Sequence, residues 1–194
     1  MTKAEKTRQF IIEKSAPVFN TKGLAGTAMS DVMKATRLAK GSLYVHFEDK
    51  EELSHAVVDY NLKMVLDKPL AEATRQQTAK AKLLTFLTAL SDRNPTIVGG
   101  CPMLNFGMEA DDTSPVVKTK VNKVMDKIQS TIRSFVELGI RQGEFRKGWK
   151  AKAFAAKAFA LIEGGIMMAK ISGDRNKLKA ILGFVKKEID ENSI

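Results

Sequence analysis

One short segment of the chain, from Lys40 to Lys50, combines hydroxyl, aromatic and basic hydrogen-bond donors. Lys40 and Ser42 can donate to base edges, and a lysine pairs well with guanine O6 and N7. Tyr44, His46 and Lys50 offer the donors and positive charge that phosphate oxygens accept. Residue types in this order predict a surface that reads bases and fixes its register on the phosphates.

Two short helices around a tight turn are predicted to position these side chains. Apolar residues at helical spacing give each helix one packing stripe: Met29, Val32 and Met33, then Leu38, Leu43 and Phe47. Thr27 is predicted to be the N-cap of the first helix, and together with Ser30 it is expected to reach phosphates. Ala39 and Gly41 are small enough to let the backbone approach DNA closely. This division into a packing face and an outward face predicts a helix-turn-helix.

The run from Ala39 to Phe47, Ala-Lys-Gly-Ser-Leu-Tyr-Val-His-Phe, resembles the recognition helix of TetR/AcrR-type bacterial repressors. The same likeness extends to flanking positions: Ile12, Ala16, Phe19 and Gly23 upstream, and Lys50 to Leu53 downstream. Two positions depart from the family pattern. Arg37 stands where the family usually has glycine, and Ala39 replaces the usual hydroxyl N-cap; each change costs roughly 1 kcal/mol locally.

Length and composition allow a sizeable core in a soluble protein. The chain has 194 residues, 44% of them apolar, and one cysteine, which suits a reducing compartment. We find no apolar run long enough to span a membrane and no signal-peptide pattern, so a cytoplasmic location without membrane contact is expected. The net charge of +10 favours polyanion binding, but residues 1–55 hold nine Lys/Arg against seven Asp/Glu. Bulk charge therefore does not locate the DNA-binding face.

Helical periodicity persists through the rest of the chain, which predicts an all-α fold. The expected domains are a three-helix helix-turn-helix head over residues 1–48 and a helical bundle over 49–194 that binds a ligand and forms the dimer. Predicted helix boundaries are as follows: a first helix over 4–21 that stops at Gly23, a helix from Lys50 that ends before Pro69, one over 71–92 that ends at Asn94-Pro95, one from Ser114-Pro115 to Gly143, one over 150–172, and a last one from Asp174.

A second informative segment runs from Gly100 to Glu109 and is similar to segments near the ligand cavity of TetR/AcrR-like bodies. Soft methionine and aromatic side chains with a few polar groups suit a mouldable pocket. The predicted ligand-binding residues are Met103, Asn105, Phe106, Glu109, Met125, Phe135, Glu163 and Met167. Ordinary core packing is the alternative for each methionine, and Cys101 is interpreted as a small buried hydrophobe.

The helix predicted over 150–172 is apolar on more than one side and therefore needs more than one packing partner. A second copy of the chain is expected to cover one side, because two heads read two half-sites. The residues predicted for this interface are Phe159, Ile162, Ile166, Ile181 and Val185. The alternative is that they complete the core of a monomer.

These patterns predict a homodimeric, ligand-responsive transcriptional regulator, as the resemblance implies: a repressor released from a palindromic double-stranded DNA operator by a small-molecule effector. We find no catalytic constellation, metal-spaced cluster or cofactor motif, so an enzyme is not expected. Two alternatives stay open: a helical small-molecule-binding protein without sequence-specific DNA binding, and a basic protein that coats DNA without sequence preference. The sequence also leaves open the effector, the operator and whether control is negative or positive.

Overall fold

The computed structural model describes residues 1–92 and 97–194, and over these residues the ordered elements are helices. They are α1 (Lys3–Lys22), α2 (Met29–Thr36), α3 (Lys40–Tyr44), α4 (Lys50–Thr74), α5 (Ala79–Ser91), α6 (Pro102–Ala110), α7 (Pro115–Gln142), α8 (Ala151–Ser172) and α9 (Asn176–Glu191). Within the same residues, strand-like pairing is limited to an isolated bridge between Phe145 and Ser193. The all-α prediction is confirmed.

Several predicted helix ends are confirmed by their local chemistry. Thr2 caps α1 by accepting a hydrogen bond from the Glu5 N–H, and Gly23 ends that helix with a φ of 81°. Ser114 Oγ accepts from the Val117 N–H at 3.4 Å at the start of α7. A glycine carries the positive φ without the steric penalty of a Cβ, which explains why α1 stops there.

Two predicted helix boundaries are wrong. Thr27 is not the N-cap of α2, because Ala28 takes that position and the Asp31 side chain accepts from its N–H at 3.1 Å. Pro69 lies inside α4, which continues to Thr74, so the following helix begins at Ala79. The ring of Pro69 is buried, and the helix continues past it although proline donates no backbone hydrogen bond. The predicted helix end at Asn94-Pro95 lies outside the described residues.

The chain divides into two compact units. The first unit comprises Met1–Met64 and Pro95–Asn122, and the second unit comprises Val65–Asn94 and Lys123–Ile194. The helix-turn-helix segment thus shares a unit with α6. The domain boundary predicted after residue 48 stays a prediction. Helices α6 and α1 are in contact within this unit, since Asn105 Nδ2 donates to the Asn20 carbonyl at 2.8 Å.

The core of the first unit fixes α2 and α3 against α1. Ile11, Phe19, Val32 and Leu43 are fully buried, and each such side chain contributes about 1.5–3 kcal/mol when it leaves water. The Arg8 guanidinium lies 4.4 Å from the centroid of the Phe47 ring and covers that edge of the core. The predicted packing stripe of the second short helix is therefore confirmed at Leu43 and Phe47.

In the second unit, α8 packs closely against α9. A Cβ on Gly165 would lie 2.9 Å from a methyl of Leu178, so glycine permits this approach of the two helices. Phe159, Ile162, Ile166 and Val185 are buried within this unit of a single chain. These four side chains are covered within one chain and leave little surface for a second copy, whereas Ile181 is half-buried. The predicted dimer interface stays a prediction.

Candidate nucleic-acid interface

The turn between α2 and α3 is built around a residue in the left-handed region. Arg37 has φ 58° and ψ 25°, and its N–H donates to the Met33 carbonyl at 2.8 Å. The Thr36 hydroxyl donates to the Val32 carbonyl at 2.8 Å, which gives this buried hydroxyl a partner at the end of α2. A non-glycine residue therefore closes the tight turn, at the cost expected from the sequence.

One face of α3 is exposed and carries the predicted base-reading residues. Lys40, Gly41 and Ser42 are exposed, whereas Leu43, on the opposite face, is fully buried. The Lys40 ammonium lies 5.7 Å from the centroid of the Tyr44 ring. The predicted division between outward and packing faces is confirmed at these residues and at Tyr44, whereas His46 is half-buried. Ala39, the N-cap, is exposed and makes no side-chain capping bond.

Sequence reasoning missed Val45, the residue after α3. Its side chain is 78% exposed beside the packed helix pair. Its place next to Tyr44 gives the α3 face an apolar group of the kind that meets a thymine methyl. A valine inside the family-like pattern gave no signal, because its type alone predicts burial.

The predicted phosphate-binding residues lie in different environments. Tyr44 and Ser30 are exposed, whereas His46 is half-buried. Lys50 is half-buried, and its ammonium donates to the Ala25 carbonyl at 3.4 Å. Thr27 is buried, and its hydroxyl donates to the Gly23 carbonyl at 2.6 Å, which leaves its side chain no surface for a phosphate.

Ion pairs hold the helices that surround α3. Lys22 pairs with Asp31 at 2.7 Å. This hydrogen bond, followed by that from the Ala28 N–H, lowers the pKa of Asp31 below its ordinary range. Arg8 pairs with Glu52 at 2.7 Å. The hydrogen bond from the Glu48 N–H, followed by that from Arg8, lowers the pKa of Glu52. Both carboxylates therefore act as structural acceptors near the helix starts that they stabilise.

Two polar residues predicted to bind ligand contact the end of α1 and the residues that follow it; their role in ligand binding stays a prediction. Glu109 accepts from the Leu24 and Ala25 N–H groups, both at 2.7 Å. Asn105 donates through Nδ2 to the Asn20 carbonyl at 2.8 Å. Both residues lie on α6, at positions one helical turn apart. The structure thus brings them together at the connection that leads into α2.

The other predicted ligand-binding residues are divided between the two units. In the first unit, Met103 and Phe106 are buried in the core. In the second unit, Phe135 packs edge-on against Phe86 with ring centroids 5.8 Å apart. The remaining members of the second unit are less enclosed: Met125 and Glu163 are half-buried, and Met167 is exposed. Their role in ligand binding stays a prediction.

An apolar face remains exposed on α8 and α9. Met167, Ile171 and Phe184 are 48%, 80% and 65% exposed, although all three are large and apolar. Gly164 and Gly183 lie on the surface of the same helices, since an added Cβ on either would meet nothing within 4 Å. They add no side chain to that surface. This face, defined by Gly164, Met167, Ile171, Gly183 and Phe184, is called the α8–α9 face below.

Across residues 1–92 and 97–194, no group of His, Cys, Asp and Glu side chains could hold a metal ion. None of the helices described in this structure has both the length and the apolar character needed to cross a bilayer.

A short exposed helix packed through a tight turn on a second helix defines a helix-turn-helix DNA-binding regulator. The chain belongs to the TetR family. The family model described as "Bacterial regulatory proteins, tetR family" matches residues 11–57. A second family model, described as "Tetracyclin repressor-like, C-terminal domain", matches residues 79–184. The predicted family and its class, a transcriptional regulator and not an enzyme, are confirmed.

Named relatives extend over nearly the whole chain. The HTH-type transcriptional repressor DhaR of Mycobacterium sp. (strain GP1) is 28% identical over 92% of this chain and 89% of its own length. A TetR-family regulator from Cytophaga hutchinsonii has a structure that matches with TM-score 0.92 and 34% identity, covering 100% of this chain and 98% of that one. A TetR regulator from Chloroflexus aurantiacus gives TM-score 0.93 and 35% identity, with the same coverage.

Proposed function

We propose that this regulator is a repressor that reads a palindromic operator through the exposed face of α3. The observation that carries the proposal is the outward cluster of Lys40, Ser42 and Tyr44 on a helix whose other side is buried. Lys40 and Ser42 read base edges, and Tyr44 binds the phosphate backbone. Negative control is supported by the repressor name of the Mycobacterium relative.

The protein acts as a homodimer through the α8–α9 face. Large apolar side chains at Met167, Ile171 and Phe184 are costly to leave in water, and a self-complementary face lets a second copy cover them. A two-fold dimer also presents two α3 helices, which together read enough base pairs to select an operator. The DNA target places the protein in the bacterial cytoplasm.

A small molecule releases the repressor from its operator. Ligand responsiveness is typical of the family, and the effector must bind the DNA-free state more tightly than the DNA-bound state. A tenfold preference corresponds to about 1.4 kcal/mol per ligand, which is enough to reduce operator occupancy. The basic chain makes an anionic effector more attractive than a cationic one.

Selection of bound sequences from a random duplex library tests the DNA-reading proposal. The purified protein at near-physiological salt is expected to enrich a palindrome. Lys40→Ala is expected to weaken binding and broaden the consensus, because it removes a base contact. Tyr44→Ala is expected to weaken binding to all sequences alike. Equal losses on operator and random DNA for Lys40→Ala, or no enriched palindrome for the wild-type chain, would reject the proposal.

Sedimentation of a charge variant tests the dimer. Phe184→Asp places a carboxylate on the α8–α9 face and is expected to give monomers that lose operator binding. Phe10→Asp is the matched control, since Phe10 is also an exposed phenylalanine but lies on α1. A Phe184→Asp protein that remains dimeric would contradict this choice of face.

A further inference from the structure

The connection between α1 and α2 is held by a carboxylate from α6. Glu109 directs one oxygen to the Leu24 N–H and the other to the Ala25 N–H, both at 2.7 Å. Hydrogen bonds to an ionised carboxylate are shorter and stronger than neutral ones, and here both oxygens are used. We call this arrangement, Glu109 with the two N–H groups, the carboxylate clasp.

Gly23 and Asn105 lie next to the carboxylate clasp and support the same contact between α6 and the end of α1. A Cβ on Gly23 would lie 2.7 Å from Glu109 Oε2, so glycine is needed both for this contact and for the φ of 81°. Asn105, one turn earlier on α6, donates to the carbonyl of Asn20 at 2.8 Å and to its side-chain oxygen at 3.0 Å. Helix α6 thus provides an acceptor for the donors after α1 and a donor for the acceptors within α1.

The clasped segment leads directly into the reading helices. The Ala25 carbonyl accepts from the Lys50 ammonium at 3.4 Å, which ties the segment to the start of α4. The Thr27 hydroxyl donates back to the Gly23 carbonyl at 2.6 Å, and Ala28 is the N-cap of α2. No more than two residues therefore separate the clasped Ala25 from the cap of the helix on which α3 packs.

We infer that Glu109 is a positioning residue for operator recognition: the carboxylate clasp makes α6 hold α2 and α3 in the pose that reads DNA. This inference rests on the proposed function and adds to it the residue through which α6 controls the head. Withdrawal of the Glu109 carboxylate frees the Leu24 and Ala25 N–H groups and lets α2 shift. Operator affinity then falls, because the base contacts of α3 depend on its exact placement.

The test replaces the carboxylate with groups that cannot accept from both N–H groups. Glu109→Gln keeps the size but turns an NH₂ toward one of the two donors. Glu109→Asp keeps the charge but is one methylene too short to reach both. Each variant is expected to bind the selected operator about tenfold more weakly and to speed hydrogen exchange at Leu24 and Ala25. Binding to random duplex DNA is expected to stay unchanged or rise slightly for Glu109→Gln, since a negative charge is lost.

Glu144 supplies a matched control within the second unit. Its two oxygens accept from the consecutive N–H groups of Ala79 and Lys80 at 2.8 Å, so it makes the same chemical contact at the start of α5. Glu144→Gln is expected to lower stability but to leave the ratio of operator to random affinity unchanged.

If the wild-type protein selects an operator, any of three results would overturn the inference. The first is full operator affinity in both Glu109 variants, and the second is faster hydrogen exchange at Leu24 and Ala25 without a loss of operator affinity. The third is a ratio of operator to random affinity that falls as much in Glu144→Gln as in the Glu109 variants. Failure of the wild-type protein to select an operator would instead count against the proposed function. The two results are therefore distinguishable.

Discussion

Gly41 lies on the exposed face of α3, where an added methyl group is expected to raise the stability of the fold and to weaken DNA binding. A Cβ at this position would meet nothing within 4 Å, and its φ is not in the left-handed region. Alanine is favoured over glycine inside a helix by about 0.5–1 kcal/mol, and the first turn of a short helix gives the lower value. Gly41→Ala is therefore expected to raise the melting temperature by about 1–2 °C.

Operator affinity is expected to change in the opposite direction. If the DNA backbone approaches α3 at Gly41, a methyl group there displaces the helix and weakens neighbouring base contacts. A good base contact is worth about 1–3 kcal/mol, so the loss per head is roughly 5- to 150-fold. The same methyl group thus stabilises the free protein and weakens the complex.

Thermal unfolding and operator titration of the same preparation measure both effects. Gly148→Ala is the control, because its Cβ would also meet nothing within 4 Å but it lies between α7 and α8. The control is expected to leave operator affinity unchanged. A Gly41→Ala protein that binds the operator as tightly as wild type would refute the close approach of DNA to this position.

Two further substitutions test the turn and the start of α2. Arg37→Gly is expected to remove about 1 kcal/mol of backbone strain at this left-handed position and to raise the melting temperature by about 2–4 °C. Arg37→Ala keeps a Cβ there and is expected to give no rise. Asp31→Asn removes a carboxylate whose pKa is lowered by Lys22 and then by the Ala28 N–H. A lowered pKa stabilises the fold above pH 3.8 and this contribution disappears as the pH falls through the folded-state pKa, so the variant is expected to have a lower urea midpoint at pH 7 and to approach wild type in acid. A constant difference in midpoint across that range would contradict the assignment.

The sequence predicted the reading face well because its signals are local. Lys40 and Tyr44 alternate with Leu43 and Phe47 at helical spacing, so one pattern specifies both the exposed and the buried side. The positive φ of Arg37 was also predictable, since the turn position is defined by its distance from the next helix.

Long-range features were not predictable in the same way. Glu109 was correctly singled out as a polar residue among apolar ones, but its partners, Leu24 and Ala25, lie 85 and 84 residues away. The helix predicted over 150–172 was apolar on more than one side, so periodicity could not show that Phe159 and Ile162 would be covered within one chain. The predicted helix end at Pro69 was wrong because proline usually marks a helix end, and the sequence does not show that this ring lies inside a long helix.

The aromatic cluster at the start of α8 gives the second unit an optical reporter of its own. Trp149, the single tryptophan, is buried, with its ring centroid 5.0 Å from that of Phe145 and 4.5 Å from that of Phe154, all in the second unit. Tryptophan emission therefore follows the unfolding of the second unit in the wild-type chain, without a label.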